Sequence, residues 1–151
     1  MLIDLLLGLA TMLICLLLQL GLLLWLMRGF ARRLDGREHG LGWVLGLTGG
    51  VMLALVLGNL GQVALWALLF RLLGEFADYA TAFYHSAVNF ATLGYGDIVM
   101  SPAHRLLGPL ESINGILMIG VSSSAFLAAM QRALGRHPDA RALRKLENEP
   151  K

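Results

Sequence analysis

Three long apolar runs leave this chain few folds to choose from. They cover residues 2–27, 41–70 and 106–130. An apolar run of about 18 residues or more is typical of a membrane-spanning helix, because about 20 residues are needed to cross the hydrocarbon layer. Only 15% of all residues are charged, against about 25% in soluble domains. The sequence therefore predicts an all-α membrane protein with three transmembrane helices.

The first run is expected to stay in the protein as a transmembrane helix, residues 1–27. No Lys or Arg precedes it, whereas Arg28, Arg32 and Arg33 follow it. A cleaved signal peptide has the opposite arrangement and a shorter apolar region.

A segment between the second and third runs is too short and too polar to span a membrane. Asp78 is placed to cap a helix that would end at residue 91. Segments of this length are often re-entrant. The stretch that follows, residues 92–97, reads Thr-Leu-Gly-Tyr-Gly-Asp. We expect a short re-entrant helix and a glycine-rich loop at one face of the membrane.

The basic residues give the expected orientation. Four arginines lie in the hinge, residues 28–40, and six basic residues lie in the tail, residues 131–151, whereas only Arg71 and Arg105 separate the second and third runs. Because Lys and Arg concentrate on the cytoplasmic side, hinge and tail are predicted to be cytoplasmic. The amino terminus and the glycine-rich loop are then outside. These basic residues flank membrane spans and form no nucleic-acid-binding stripe.

Residues 92–97 resemble the selectivity-filter signature of potassium channels, T-V-G-Y-G-D, with Leu93 in place of Val. A potassium ion exchanges its hydration water for rings of backbone carbonyl oxygens contributed by four chains. Successive carbonyls point the same way only if the backbone alternates in handedness, which glycine tolerates. From about residue 82 to 130 the chain is similar to the pore domain of the potassium-channel superfamily, and in particular to small bacterial members.

The resemblance implies a pore domain over residues 41–130, assembled as a homotetramer in the cell membrane, in this case a bacterial inner membrane. Its outer helix would be residues 41–70, its pore helix 78–91, its filter 92–97 and its inner helix 106–130. Potassium would be the permeant ion, with no cofactor. The residues implied to hold it are Thr92, Leu93, Gly94, Tyr95 and Gly96.

Supporting residues for the filter also follow from the resemblance. Many family members have two tryptophans at the positions of Tyr84 and His85, where they hydrogen-bond to the filter. Tyr84 is expected to donate to Asp97, and His85 to the hydroxyl of Tyr95, since both side chains carry donors. His85 is in addition a candidate sensor of external pH, because imidazole titrates near pH 6.5.

The third run carries further candidates. Gly115 or Gly120 would serve as a gating hinge, or would allow close packing. Glu111 is expected to pair with Arg105 or to bond the pore helix, in preference to coordinating ions. The candidates for lining the central cavity, or for hydrogen-bonding within their own helix, are Ser122, Ser123 and Ser124.

Three functions remain as alternatives at this point: a conducting potassium channel, a non-conducting or regulatory membrane subunit, and a poorly selective cation channel. The intact series from Thr92 to Asp97 favours the first. An enzyme is not expected, because no nucleophile–base pair, metal-ligand spacing or phosphate-binding loop is present. No arginine series typical of a voltage sensor occurs in the first two runs, so the sequence does not indicate what opens the pore.

Overall fold

The structure, a computed structural model, describes residues 1–33 and 40–134 and consists of helices and connecting loops in these ranges. Three of the helices are long and apolar enough to cross a membrane. The other has 12 residues and is about 18 Å long, too short to do so. The prediction of an all-helical membrane protein with three spanning helices is confirmed. The four helices are α1 (Leu2–Arg33), α2 (Leu41–Leu72), α3 (Tyr79–Phe90) and α4 (Leu107–Leu134).

The long helices continue past the ends expected from the apolar runs. α1 extends through Arg33 into the predicted hinge, and α4 extends through Leu134 into the predicted tail. Arginine, glutamine and alanine are good helix formers, so a helix continues after the lipid-compatible segment has ended. The rest of the hinge, 34–39, and of the tail, 135–151, lies outside the described residues.

α1 runs parallel to α4 and antiparallel to α2. Near its start, Gly8 lies against the side chain of Leu110, and near its end Phe30 packs in one cluster with Ala133. On the other side, Leu22 covers Gly58 of α2. The amino end of α1 therefore lies at the same end of the bundle as the loop that follows α3.

A chain of buried polar side chains joins α1, α2 and α4 at mid-depth. Gln62 Nε2 donates to Gln19 Oε1 over 2.8 Å, and Gln19 Nε2 donates to Ser122 Oγ over 2.9 Å. Ser122 Oγ in turn donates to Asn59 Oδ1 over 3.3 Å. Both glutamines are 1% exposed. Amides at this depth are costly unless they bond to each other, so this amide chain fixes the register of α1 on its neighbours.

The short helix α3 is held between α2 and α4. Its N-cap, Asp78, accepts hydrogen bonds from the backbone N–H of Thr81 (2.8 Å) and from the Thr81 hydroxyl (2.7 Å), and the bond from the backbone lowers the pKa of Asp78. The apolar face of α3, with Ala82 and Phe90, packs in one buried cluster with Trp66 and Phe70 of α2. This packing fixes the direction in which the carboxyl end of α3 points.

We expect Gln19→Leu to lower the free energy of unfolding by about 1–2 kcal/mol, because two interhelical hydrogen bonds of about 0.6 kcal/mol each are lost and their partners stay buried. The measurement is reversible unfolding in mixed micelles. Thr11→Val is the matched control, since the hydroxyl of Thr11 bonds only to the Leu7 carbonyl of its own helix. Equal losses in the two variants would contradict the interhelical role of Gln19.

Candidate functional site

Two hydrogen bonds end α3 and begin the glycine-rich loop. The N–H of Thr92 donates to the Asn89 carbonyl over 2.8 Å, and the N–H of Leu93 donates to the Val88 carbonyl over 2.9 Å. This pair of bonds is the Schellman motif, whose C′ residue adopts a left-handed conformation and is usually glycine. Here Thr92 occupies that position, with a φ of 59°.

Left-handed residues alternate along the loop. Gly94 has a φ of 58° and Gly96 a φ of 73°, so every second residue from Thr92 onward is left-handed. Glycine adopts this conformation without a steric penalty. For an L-residue such as threonine, the left-handed conformation raises the conformational free energy by about 1–2 kcal/mol. The glycines are thus explained by the backbone. The backbone conformation does not explain the threonine at position 92, which suggests that its hydroxyl group has a function.

The loop is uncovered within a single chain. The side chains of Leu93 and Tyr95 are 53% and 64% exposed. One face of α4 is uncovered as well, with exposed Ile113, Ile116 and Leu117. Apolar side chains on α4 can face lipid, but irregular backbone exposed to lipid does not occur inside a membrane. The uncovered loop therefore indicates a surface that is completed by something other than this chain's own helices.

A hydrogen bond ties the end of the loop to α3. The hydroxyl of Tyr84 donates to Asp97 Oδ2 over 2.7 Å. The bond lowers the pKa of Asp97 and raises that of Tyr84. The structure thus brings together the two residues that the sequence analysis paired.

His85 has other partners than the one expected from the sequence. Its Nδ1 lies 3.0 Å from the Ile98 carbonyl and therefore donates, and its Nε2 accepts from Asn89 Nδ2 over 2.9 Å. Both ring nitrogens are occupied by these nearer groups, so no bond to Tyr95 is made within the chain. Burial lowers the pKa of His85, outweighing the Ile98 bond and the charges of Asp97 and Glu75, which raise it.

α3 packs against one side of α4. Ser112 Oγ donates to the Asn89 carbonyl over 2.9 Å, and Glu111 is hydrogen-bonded to Ser86. At Gly115 a Cβ atom would overlap the backbone carbonyl of Phe90, whereas at Gly120 nothing lies within 4 Å. Of the two hinge candidates, Gly115 is thus required for close packing of α4 against α3, and Gly120 is not. Glu111 bonds to α3, the segment predicted to be the pore helix, which is one of its two expected roles; it does not pair with Arg105.

The three consecutive serines do not share a face. Ser122 is buried at 7% exposure in the amide chain between α1 and α2, so its expected place in a central cavity is wrong. Each residue turns about 100° around a helix, and this puts Ser123 and Ser124 on the exposed side. Ser124 Oγ donates to the Gly120 carbonyl over 2.9 Å within its own helix.

Several residues that position the loop were not predicted from the sequence. Glu75 accepts hydrogen bonds from the N–H of Ser101 over 2.7 Å and from its hydroxyl over 2.6 Å, which ties the end of α2 to the segment after the loop. Ser86 and Ser112 link α3 to its neighbours. The one sequence feature that could have indicated the contact between α3 and α4 is the spacing of small and polar residues at 108, 111, 112 and 115, which places them on one helical face.

Residues 59–132 match the model of a protein family described as "Ion channel". The match begins in the second half of α2 and includes α3, the loop and nearly all of α4. No curated protein and no solved structure gives a significant match. The family is not one of enzymes. Together with the three apolar helices, the match supports an ion channel in a multi-pass membrane protein.

We expect Gly115→Ala to reduce the free energy of unfolding by about 1–3 kcal/mol, the usual cost of overpacking, because the new methyl group must displace the backbone at Phe90. Gly120→Ala in the same helix is the control, since a Cβ there meets open space. Thermal unfolding of the two purified variants is the measurement. A larger loss in Gly120→Ala would contradict the packing role of Gly115.

His85 makes stability fall in acid. Because its folded pKa lies below its ordinary value of about 6.5, the unfolded chain binds a proton more readily, and stability decreases as pH falls below about 6.5. Protonated Nε2 would also face the donor Asn89 Nδ2. We expect the thermal midpoint to drop between about pH 6.5 and 5.5 more in the wild type than in His85→Gln. Both proteins should change equally little above that range, and parallel acid profiles would argue against His85.

Proposed function

We propose that this chain is one subunit of a homotetrameric, potassium-selective channel, with Thr92, Leu93, Gly94, Tyr95 and Gly96 as its filter. The observation that carries the proposal is the alternation of left-handed residues at 92, 94 and 96. This alternation allows consecutive carbonyl groups to point to one side of the strand. Ring after ring of such oxygens replaces the water around a permeating ion.

The chemistry of the loop favours a dehydrated monovalent cation. Backbone carbonyls are neutral, so they bind an ion without trapping it as a ring of carboxylates would. The Thr92 hydroxyl adds an oxygen at the inner end of the series, which accounts for a threonine where glycine would be less strained. α3 ends at Phe90, directly before the filter, and the negative end of its dipole favours a cation beneath it.

Four copies are proposed because one loop supplies only one oxygen per ring. The exposed side chains of the loop and of α4 around Ile116 form the face that would pack against neighbouring subunits and the central axis. Tyr95 would then point away from the ions and brace the filter against adjacent helices. Tyr84 and His85 support the filter from α3, with Asp97 at the end of the loop accepting the Tyr84 hydrogen bond. Ser123 and Ser124 are the remaining candidates for lining the cavity.

The topology proposed from charge fits the helix directions. The amino end of α1 lies at the same end of the bundle as the filter, and the arginine-rich end of α1 lies at the opposite end with the close of α4. With the positive residues inside, the filter faces outward and the carboxyl end is cytoplasmic, as in a bacterial inner membrane.

The test is ion flux through the purified protein in liposomes. We expect potassium flux that barium blocks and little sodium flux. Gly94→Ala should reduce potassium flux by about tenfold or more, because each subunit would carry about 1–2 kcal/mol of backbone strain in the filter.

Gly74→Ala is the matched control for that variant. Gly74 has a φ of 75°, with open space at its Cβ, but it lies after α2 and outside the filter. Its substitution has the same backbone cost and should leave potassium selectivity intact. Sodium flux equal to potassium flux in the wild type would refute selectivity, and equal losses in the two alanine variants would refute the filter assignment.

A further inference from the structure

Glu111 is a carboxyl group buried where all four helices meet. It has 0% exposure, as do Ser86 of α3, which bonds to it, and Asn114 one turn further along α4. The titratable groups near it are few. α1 contributes the Cys15 thiol, and α3 contributes His85, whose Nε2 is bonded to Asn89 beside the carboxyl. Among the described contacts, α2 contributes the Val63 carbonyl, which does not titrate.

If Glu111 is ionised, there are too few protons to form both hydrogen bonds of Ser86. The Ser86 hydroxyl has one proton, and its Oγ lies within hydrogen-bonding distance of both Glu111 Oε1 and the Val63 carbonyl, the latter at 2.8 Å. A backbone carbonyl only accepts, so Ser86 must donate to Val63 if that bond is made. The bond between Ser86 and Glu111 then needs its proton from the carboxyl group.

The second carboxyl oxygen leads to the same conclusion independently. Glu111 Oε2 is buried and forms no hydrogen bond with the described residues. The Asn89 amide lies near the carboxyl group, but its Nδ2 is bonded to His85 Nε2. No Arg, Lys or His in the described part of the chain forms an ion pair with Glu111. An anionic oxygen with no hydrogen bond formed and no counter-ion is far more costly in a dry interior than the carbonyl oxygen of a neutral acid.

Glu75 shows the contrasting arrangement in the same molecule. One of its oxygens accepts from the N–H of Ser101 and the other from the Ser101 hydroxyl. Both acceptors of that carboxylate are therefore matched by donors, as an ionised group requires. The serine partner of Glu75 supplies a donor to each carboxyl oxygen, whereas the serine partner of Glu111 has one proton, which the Val63 carbonyl also requires.

We propose that Glu111 is a neutral carboxylic acid that donates its proton to Ser86, and that it is the positioning residue linking α4, through Ser86, to the Val63 carbonyl of α2. The bridge holds α3 one turn before its carboxyl end, where the left-handed loop begins. Because the bridge is uncharged, it joins three helices at membrane depth without a buried counter-ion. The protonation of Glu111 does not depend on the proposed function, whereas an effect of the bridge on the filter rests on the proposed function.

Infrared spectroscopy of the full-length protein in lipid nanodiscs at neutral pH tests the protonation. We expect a protonated-carboxyl C=O band in the wild type that is missing in Glu111→Gln and retained in Glu75→Gln. Glutamine keeps a donor for Ser86, so the substituted protein should fold. Absence of the band in the wild type, or its persistence in Glu111→Gln, would overturn the proposal.

Ser86→Ala tests the partner and covers the case in which Glu111→Gln does not fold. Loss of the acceptor should shift the acid band to higher frequency, and an unshifted band would show that Ser86 is not the acceptor. Potassium flux in liposomes separates the two proposals. Glu111→Gln should retain wild-type flux within about twofold. A wild type with the acid band but no potassium flux refutes only the channel, and a conducting wild type without the band refutes only the neutral bridge.

Discussion

A polar group at membrane depth is costly unless it finds a protein partner, because lipid offers none. The constraint is strictest for α3 and the loop after it, where the backbone leaves the helical conformation. The carbonyls of Val88 and Asn89 are satisfied by the N–H groups of the next turn, and the Asn89 carbonyl also accepts from Ser112. From Thr92 onward the backbone carbonyls take no part in this helix-end pattern, and these are the oxygens proposed to meet potassium.

The same constraint explains how α1 belongs to the structure. A helix that is apolar on all sides has no reason to prefer one neighbour over lipid, because lipid is as apolar as leucine. Gln19 supplies that reason, since its amide is satisfied only when Gln62 and Ser122 are beside it. Small residues complete the contact, with Gly8 and Gly58 each receiving a leucine side chain. We therefore regard α1 as an integral part of this fold.

The sequence was sufficient for features that depend on composition or local chemistry. The three spans follow from apolar length, and the start of α3 follows from the capping side chain of Asp78. The Tyr84–Asp97 bond was expected from the resemblance to potassium-channel pore domains, given a donor at Tyr84 and an acceptor at Asp97. Features that depend on which face of a helix meets a neighbour were not predictable. α2 is apolar around its circumference, so no period shows its buried side. Ser122 lies on the side of α4 that meets α1, and His85 lies on the side of α3 that meets the Ile98 carbonyl. The sequence did not indicate either contact.

Thr92 connects the end of α3 to the proposed chemistry of the loop. As the C′ residue of the Schellman motif it stops the helix, and as the first left-handed residue it sets the alternation that Gly94 and Gly96 continue. Glycine would perform both backbone tasks at lower cost. A β-branched residue there is stable only because α3 is clamped by Ser112, by Gly115 and by the Glu111–Ser86 bond. The packing behind the loop thus supports a strained residue whose side-chain oxygen is the one feature glycine lacks.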